Sequence, residues 1–158
     1  MRNDASPSSD TPKPTRLADY RPPAYTVDRV TLDVSLDPKR TLVRTRLDMR
    51  RCPGVAEGEP LVLNGEHIEL LSLKLDGEPV DAGRYLVGDK TLTLDDPPDA
   101  FTLDIETACA PEANTALSGL YLSNGMFCTQ CEAEGFRRIA YFPDRPDVLA
   151  RYTVRVEG

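Results

Sequence analysis

The residues best suited to chemistry lie in one short run, Cys128-Thr-Gln130-Cys131-Glu132-Ala-Glu134. Gln130 and Glu132 are two positions apart, and in an extended backbone that spacing places both side chains on one face. Such an acceptor pair suits a cationic ammonium group, because the carboxylate supplies charge and the amide oxygen a second acceptor. Glu134 continues the alternation. The spacing alone also fits a solvated acidic edge, which is the commoner origin of such a pattern.

The same run contains a CxxC pair, Cys128 and Cys131. A structural zinc site needs two more ligands with matching spacing, and Cys52 and Cys109 are isolated single cysteines. A thioredoxin-like redox pair opens a helix in a βαβ unit, and the sequence shows no such unit. We therefore expect two reduced, buried thiols and no metal held by this chain. A small zinc or redox protein built on the pair stays as an alternative.

Other reactive residues are few. The single histidine, His67, cannot supply the two-histidine ligand set of common catalytic zinc sites. Arg137-Arg138 and the run 144–147 carry opposite charges around Tyr141, so they are predicted to form salt-bridged loop scaffolding. These residues argue against a self-contained histidine-dependent enzyme.

Composition restricts the partners. The chain has 158 residues, and its 26 Asp and Glu against 19 Lys and Arg give a net charge of −7. An acidic chain lacks the electrostatic footprint of nucleic-acid binding. No apolar run approaches the roughly 20 residues of a membrane span, and no secretory signal opens the sequence. We expect a cytoplasmic protein that binds neither nucleic acid nor membrane.

The elements that must position the reactive run have the period of β-strands. Residues 1–18 are rich in Pro and Ser and are predicted to be a disordered tail. Apolar residues then alternate with polar ones in 30–36 and 41–49, which predicts an antiparallel hairpin. Further strands are predicted at 61–63, 70–75, 85–87, 91–94, 101–107 and 153–156. Short strands separated by turns indicate an all-β sandwich or saddle-shaped sheet.

The reactive run also resembles a known family. The segments 114–121, 128–147 and 148–152, with Asp19-Tyr-Arg-Pro-Pro-Ala-Tyr25 and Leu63-Asn-Gly-Glu66, resemble the N-terminal domain of bacterial-type aminopeptidase N, a zinc metallopeptidase of the M1 family. The resemblance covers nearly everything after residue 18.

The resemblance implies a saddle-shaped β-sandwich-like domain over 19–158, in which Gln130 and Glu132 hold the free α-amine of a peptide substrate. It implies that this chain contains no catalytic residue and no metal ligand. Zinc would belong to a thermolysin-like catalytic domain that follows, where it would polarise the scissile carbonyl and activate water. The strand at 153–156 is accordingly expected to belong to a C-terminally truncated domain. A free-standing β-sandwich binding module remains the alternative.

Overall fold

The computed structural model describes residues 16–158, where buried and more exposed side chains alternate along the long strands. Eleven strands and four single turns of 3-10 helix form there, and none of these helical turns has the length and apolar character to cross a membrane. The strands are β1 (Tyr25–Ser35), β2 (Thr41–Arg51), β3 (Leu61–Asn64), β4 (Glu69–Leu75), β5 (Glu78–Pro79), β6 (Tyr85–Val87), β7 (Thr91–Leu94), β8 (Ala100–Cys109), β9 (Gly119–Ser123), β10 (Met126–Gln130) and β11 (Arg151–Glu157). The all-β class predicted from the sequence is confirmed.

The predicted tail falls mostly outside the described residues, which begin at Arg16. Leu17–Asp19 forms a 3-10 turn, and β1 starts six residues later at Tyr25. The tail itself stays a prediction.

The main sheet has six strands in the order β11-β1-β2-β8-β4-β5. The predicted hairpin of β1 and β2 is confirmed, with Val30 opposite Leu47 and Val34 opposite Val43. One irregularity lies between Val27 and Arg29, where the register shifts. An extra residue there turns both Val27 and Val30, three positions apart, toward the core.

A second sheet of three strands, β3-β7-β6, shares one core with the main sheet. Its buried residues are Leu61, Leu63, Leu92 and Leu94. Alternation on β8 is as predicted, because Phe101, Leu103 and Ile105 are buried while Asp104 and Glu106 reach solvent. The apolar period of two therefore defines the buried face of the main sheet.

The start of the described chain is attached to the segment that follows the reactive run. The Tyr20 hydroxyl donates to Asp147 Oδ2 at 2.9 Å, and the Arg145 guanidinium donates to both carboxylate oxygens of Asp147 at 2.7 and 2.8 Å. Arg145 also donates to the carbonyl oxygen of Arg21 at 2.8 Å. The Arg145 hydrogen bonds lower the pKa of Asp147 from its ordinary 3.8 to about 2.

This lowered pKa predicts a pH-dependent contribution to stability. Because the carboxyl is more acidic in the folded chain, its contribution is complete above pH 4 and is lost as the pH falls toward 2. Solvent screening limits it, so Asp147→Asn should reduce the free energy of unfolding by about 0.2–1 kcal/mol at pH 7. The reduction should be about half as large at pH 3.

Urea unfolding at pH 7 and pH 3 measures this effect. Asp89→Asn is the matched control, because Asp89 is exposed and has no ion pair among residues 16–158. A loss for Asp147→Asn that is equal at both pH values would contradict the assignment.

Candidate functional site

Gln130 is placed by a two-stranded hairpin of β9 and β10. The turn between the strands is Asn124-Gly125, and both residues have positive φ, at 49° and 78°. This combination is typical of the tight turn that matches the twist of two antiparallel strands. The register sets Gln130 opposite Gly119, so Gln130 is the last residue of the hairpin.

Glu132 lies in the turn that follows this strand. Residues 132–135 form the turn, and the backbone N–H of Gly135 donates to the carbonyl oxygen of Cys131 at 2.9 Å. The peptide bond between Glu132 and Ala133 is cis. A 3-10 turn, Phe136–Arg138, continues directly from Gly135. Glu132 is therefore presented on a short, backbone-closed turn at the open end of the hairpin.

The structure brings Gln130 and Glu132 together. Gln130 Nε2 donates to the backbone carbonyl oxygen of Glu132 at 2.9 Å, and both residues are exposed. Because the amide nitrogen is engaged, Oε1 of Gln130 is left as an acceptor. Among residues 16–158 no cationic side chain forms an ion pair with the Glu132 carboxylate. The pair thus offers solvent one full negative charge and one neutral acceptor.

The predicted alternation through Glu134 is wrong. The strand ends at Gln130, and Glu134 has a left-handed φ of 67° within the turn. Its carboxylate lies 3.5 Å from Arg137 Nη1. Glu134 therefore has a cationic neighbour in the 3-10 turn that follows, whereas Glu132 has no ion-pair partner in the described chain.

Two glycines allow the turn to approach the hairpin closely. A Cβ at Gly135 would overlap the carbonyl oxygen of Gln130 and lie 2.8 Å from Cys131 Cα. A Cβ at Gly119, where φ is 76°, would lie 2.5 Å from Arg138 Cβ. Since most of these neighbours are backbone atoms, a side chain at Gly135 would displace the turn that carries Glu132.

Behind the turn lies a partly buried group of charges. Arg137 Nε donates to Asp144 Oδ2 at 3.0 Å, and its Nη2 donates to the carbonyl oxygen of Asp144 at 2.9 Å. The backbone N–H of Asp144 donates to Asn64 Oδ1 at 3.1 Å. Glu66 lies 3.8 Å from Arg138 and 4.0 Å from Arg137. The predicted salt-bridged scaffolding is confirmed, and Asn64 and Glu66 are members that the sequence did not indicate.

The cysteines are all free thiols, and Cys128 and Cys131 lie on either side of the strand end. Burial and the nearby Asp144 carboxylate raise the pKa of Cys131. Burial alone raises that of Cys109 to about 11. Raised values disfavour the thiolate that metal binding or disulfide exchange requires. The prediction that the CxxC thiols are buried is wrong, because Cys128 is half-buried and Cys131 is exposed.

His67 is exposed and precedes β4, with a φ of 55°. In residues 16–158 no three His, Cys, Asp or Glu side chains are grouped so that they could hold a metal ion.

Comparison with known proteins shows what the chain as a whole is similar to. A model of the peptidase M1 N-terminal domain family matches residues 25–158. The chain is 53% identical over 150 residues to aminopeptidase N of Caulobacter vibrioides, covering 95% of this chain and 17% of that protein. It is 44% identical over 138 residues to aminopeptidase N of Escherichia coli, covering 87% of this chain and 15% of that protein. The chain thus spans about one sixth of the length of these relatives.

Solved structures agree with the fold. Legionella pneumophila aminopeptidase A in complex with aspartic acid superposes with a TM-score of 0.82 and 31% identity, covering 90% of this chain and 17% of that chain. An M1 zinc metallopeptidase of Deinococcus radiodurans, bound to a Tyr-Ser-Ala substrate, superposes with a TM-score of 0.67 and 20% identity, covering 84% and 32% of the two chains. The second likeness shows the fold alone.

Proposed function

The chain belongs to the peptidase M1 N-terminal domain family, and we propose that it is the substrate-recognition domain of a zinc aminopeptidase. The enzyme would remove N-terminal residues from peptides, and this domain would hold the free α-amine of the substrate with Glu132 and Gln130. The observation that carries the proposal is the Glu132 carboxylate, which is exposed beside Gln130 and has no cationic partner in residues 16–158.

The chemistry of the substrate end supports this assignment. A free α-amine has a pKa near 7.7–8.0, so it is largely an ammonium ion at neutral pH. Glu132 can pair with its charge, while Oε1 of Gln130 can accept one of its N–H groups. The hydrogen bond from Gln130 Nε2 to the carbonyl oxygen of Glu132 fixes which end of the amide is available.

This arrangement would explain a preference for chain ends. An internal peptide bond offers no cation at this position, so binding it would desolvate Glu132 without a partner. An unpaired buried charge is strongly unfavourable. Holding the ammonium would set the first peptide bond at a fixed distance from the turn.

Zinc would have to be held by residues other than those described. The described residues do not fit a zinc site, because no three potential ligands are grouped among them. We therefore assign to this domain only binding and orientation of the substrate, and assign the hydrolytic step to another domain of the enzyme. The four free cysteines support a reducing compartment, and we place the enzyme in the cytoplasm.

We expect the 158-residue chain by itself to show no peptidase activity. The test is turnover of an amino-acid anilide by the purified chain with added zinc. A complete aminopeptidase containing the domain is the positive control, and it should cleave the free-amine anilide but not its N-acetyl analogue. Sustained hydrolysis by the purified chain that a chelator abolishes would contradict the assignment of the hydrolytic step to another domain.

A further inference from the structure

Glu132, the carboxylate proposed to bind the substrate amine, lies on a turn that makes few contacts. Glu132, Ala133 and Glu134 are all exposed, and the Glu132 backbone is tied to the hairpin by the Gln130 amide. We propose that Arg137 is a positioning residue for this site, which holds the turn so that Glu132 stays directed at the substrate amine. The proposal rests on the proposed function and adds a residue to it.

Arg137 links its own segment of the chain to two others. Its guanidinium donates to the side chain and the carbonyl oxygen of Asp144, and its backbone N–H donates to Asp144 Oδ2 at 3.1 Å. Its own carbonyl oxygen accepts from the backbone N–H of Glu66 at 2.9 Å. Its Nη1 lies 3.5 Å from Glu134 Oε2. The side chain is 13% exposed, so solvent replaces these contacts poorly.

Backbone hydrogen bonds connect the turn of Arg137 to the turn that contains Glu132. Arg138 N–H donates to the carbonyl oxygen of Gly135 at 3.1 Å, and Gly135 N–H donates to that of Cys131. Arg137 therefore sits in a turn that is continuous, through two backbone hydrogen bonds, with the turn that carries Glu132.

Charge balance makes the arginine hard to replace. Asp144 and Glu66 have side chains only 15% and 18% exposed, and Arg137 is the cation hydrogen-bonded to Asp144. Removing its charge leaves the Asp144 carboxylate without an ion-pair partner in residues 16–158, which favours displacement of the segment that bears it. Glu66 keeps Lys90 at 3.6 Å and Arg138 at 3.8 Å. Lysine cannot replace the fork of two donors that meets both the carboxylate and the carbonyl of Asp144.

The test uses a complete aminopeptidase that contains this domain. Arg137→Gln should lower kcat/KM for a free-amine anilide by about 10- to 100-fold, because small misplacements of a positioning group have effects of that size. Arg138→Gln is the matched control: this neighbouring arginine is similarly buried, but its side chain makes no hydrogen bond in residues 16–158 and has only a 3.8 Å ion pair to Glu66. Because Glu66 keeps Lys90 at 3.6 Å, the variant should stay within about 3-fold of wild type.

A double-mutant cycle separates positioning from general damage. If Arg137 acts through Glu132, then Arg137→Gln should cause little further loss in a Glu132→Gln background. Thermal melts establish that each variant is folded at the assay temperature. Should the glutamine variant fail to fold, Arg137→Lys keeps the positive charge, and it should show the same dependence on Glu132.

An equal loss in both backgrounds, or a loss below 3-fold, would overturn the role of Arg137 while leaving the amine site intact. A Glu132→Gln variant with wild-type activity would instead overturn the proposed function itself, and this inference with it.

Discussion

Replacing Glu132 by Gln in a complete enzyme should lower kcat/KM by about 30- to 4,000-fold. Glutamine keeps the shape and one acceptor oxygen but removes the charge that would pair with the substrate ammonium. Truncating one partner of a buried charge pair typically costs about 2–5 kcal/mol. That cost converts to the stated range at 1.4 kcal/mol per decade. Steady-state kinetics on an amino-acid anilide, with melts to confirm folding, measures it.

Substitutions at two neighbouring residues should lower kcat/KM less than Glu132→Gln does. Gln130→Ala removes a neutral acceptor and the hydrogen bond to the Glu132 carbonyl oxygen, so it should cost less, about 0.5–1.5 kcal/mol. Glu134→Gln loses only an exposed pairing with Arg137 at 3.5 Å and should stay within about 0.5 kcal/mol of wild type. If Glu134→Gln caused the largest loss of the three, the assignment of the substrate amine to Glu132 would be wrong, and Glu134 would be the carboxylate that binds it.

Gln130 and Glu132 show how much of the site could be predicted from residue spacing alone. The spacing predicts that both side chains share one face of an extended strand; the contact in the structure is from the Gln130 amide to the main-chain carbonyl oxygen of Glu132. The expected geometry was an extended strand, whereas the chain turns after Gln130 and Glu134 departs from the alternation. The local signal of that turn was Gly135, whose lack of a Cβ permits the close approach to Gln130.

The charges behind the turn were only partly predictable. Opposite charges at Arg137 and Asp144 are close in sequence, and their pairing followed from that proximity. Asn64 joins the group across 80 positions of sequence. A contact of that range depends on how the sheets pack, and a single sequence does not encode it in any local period.

The strands were predictable where one face is buried. In β8 the buried and exposed positions alternate, so its limits were found to within two residues. The hairpin of β9 and β10 was missed, although Asn124-Gly125 is a strong local turn signal, because its flanking residues are mostly half-buried or exposed. The parallel pairing of β11 with β1 was also not predicted, because the sequence of a strand does not specify which strand it pairs with.

Leu103→Ala should lower the free energy of unfolding by about 2–5 kcal/mol, because it deletes a fully buried side chain from the middle of the sheet. Leu103 lies on β8 opposite Leu47 of β2 and Leu75 of β4. Neighbouring strands on both sides leave little freedom to collapse into the space. Urea unfolding of the chain measures the loss.

Leu71→Ala is the matched control, since Leu71 on β4 is 39% exposed and its truncation should cost well under half as much. Equal losses for the two variants would contradict the assignment of the core to the face that bears Leu103. In a complete enzyme, the folded fraction of Leu103→Ala should keep its kcat/KM, because Leu103 is not among the residues that hold the turn of Glu132. That contrast with Glu132→Gln, which should lose activity and keep stability, would separate what builds this domain from what it binds.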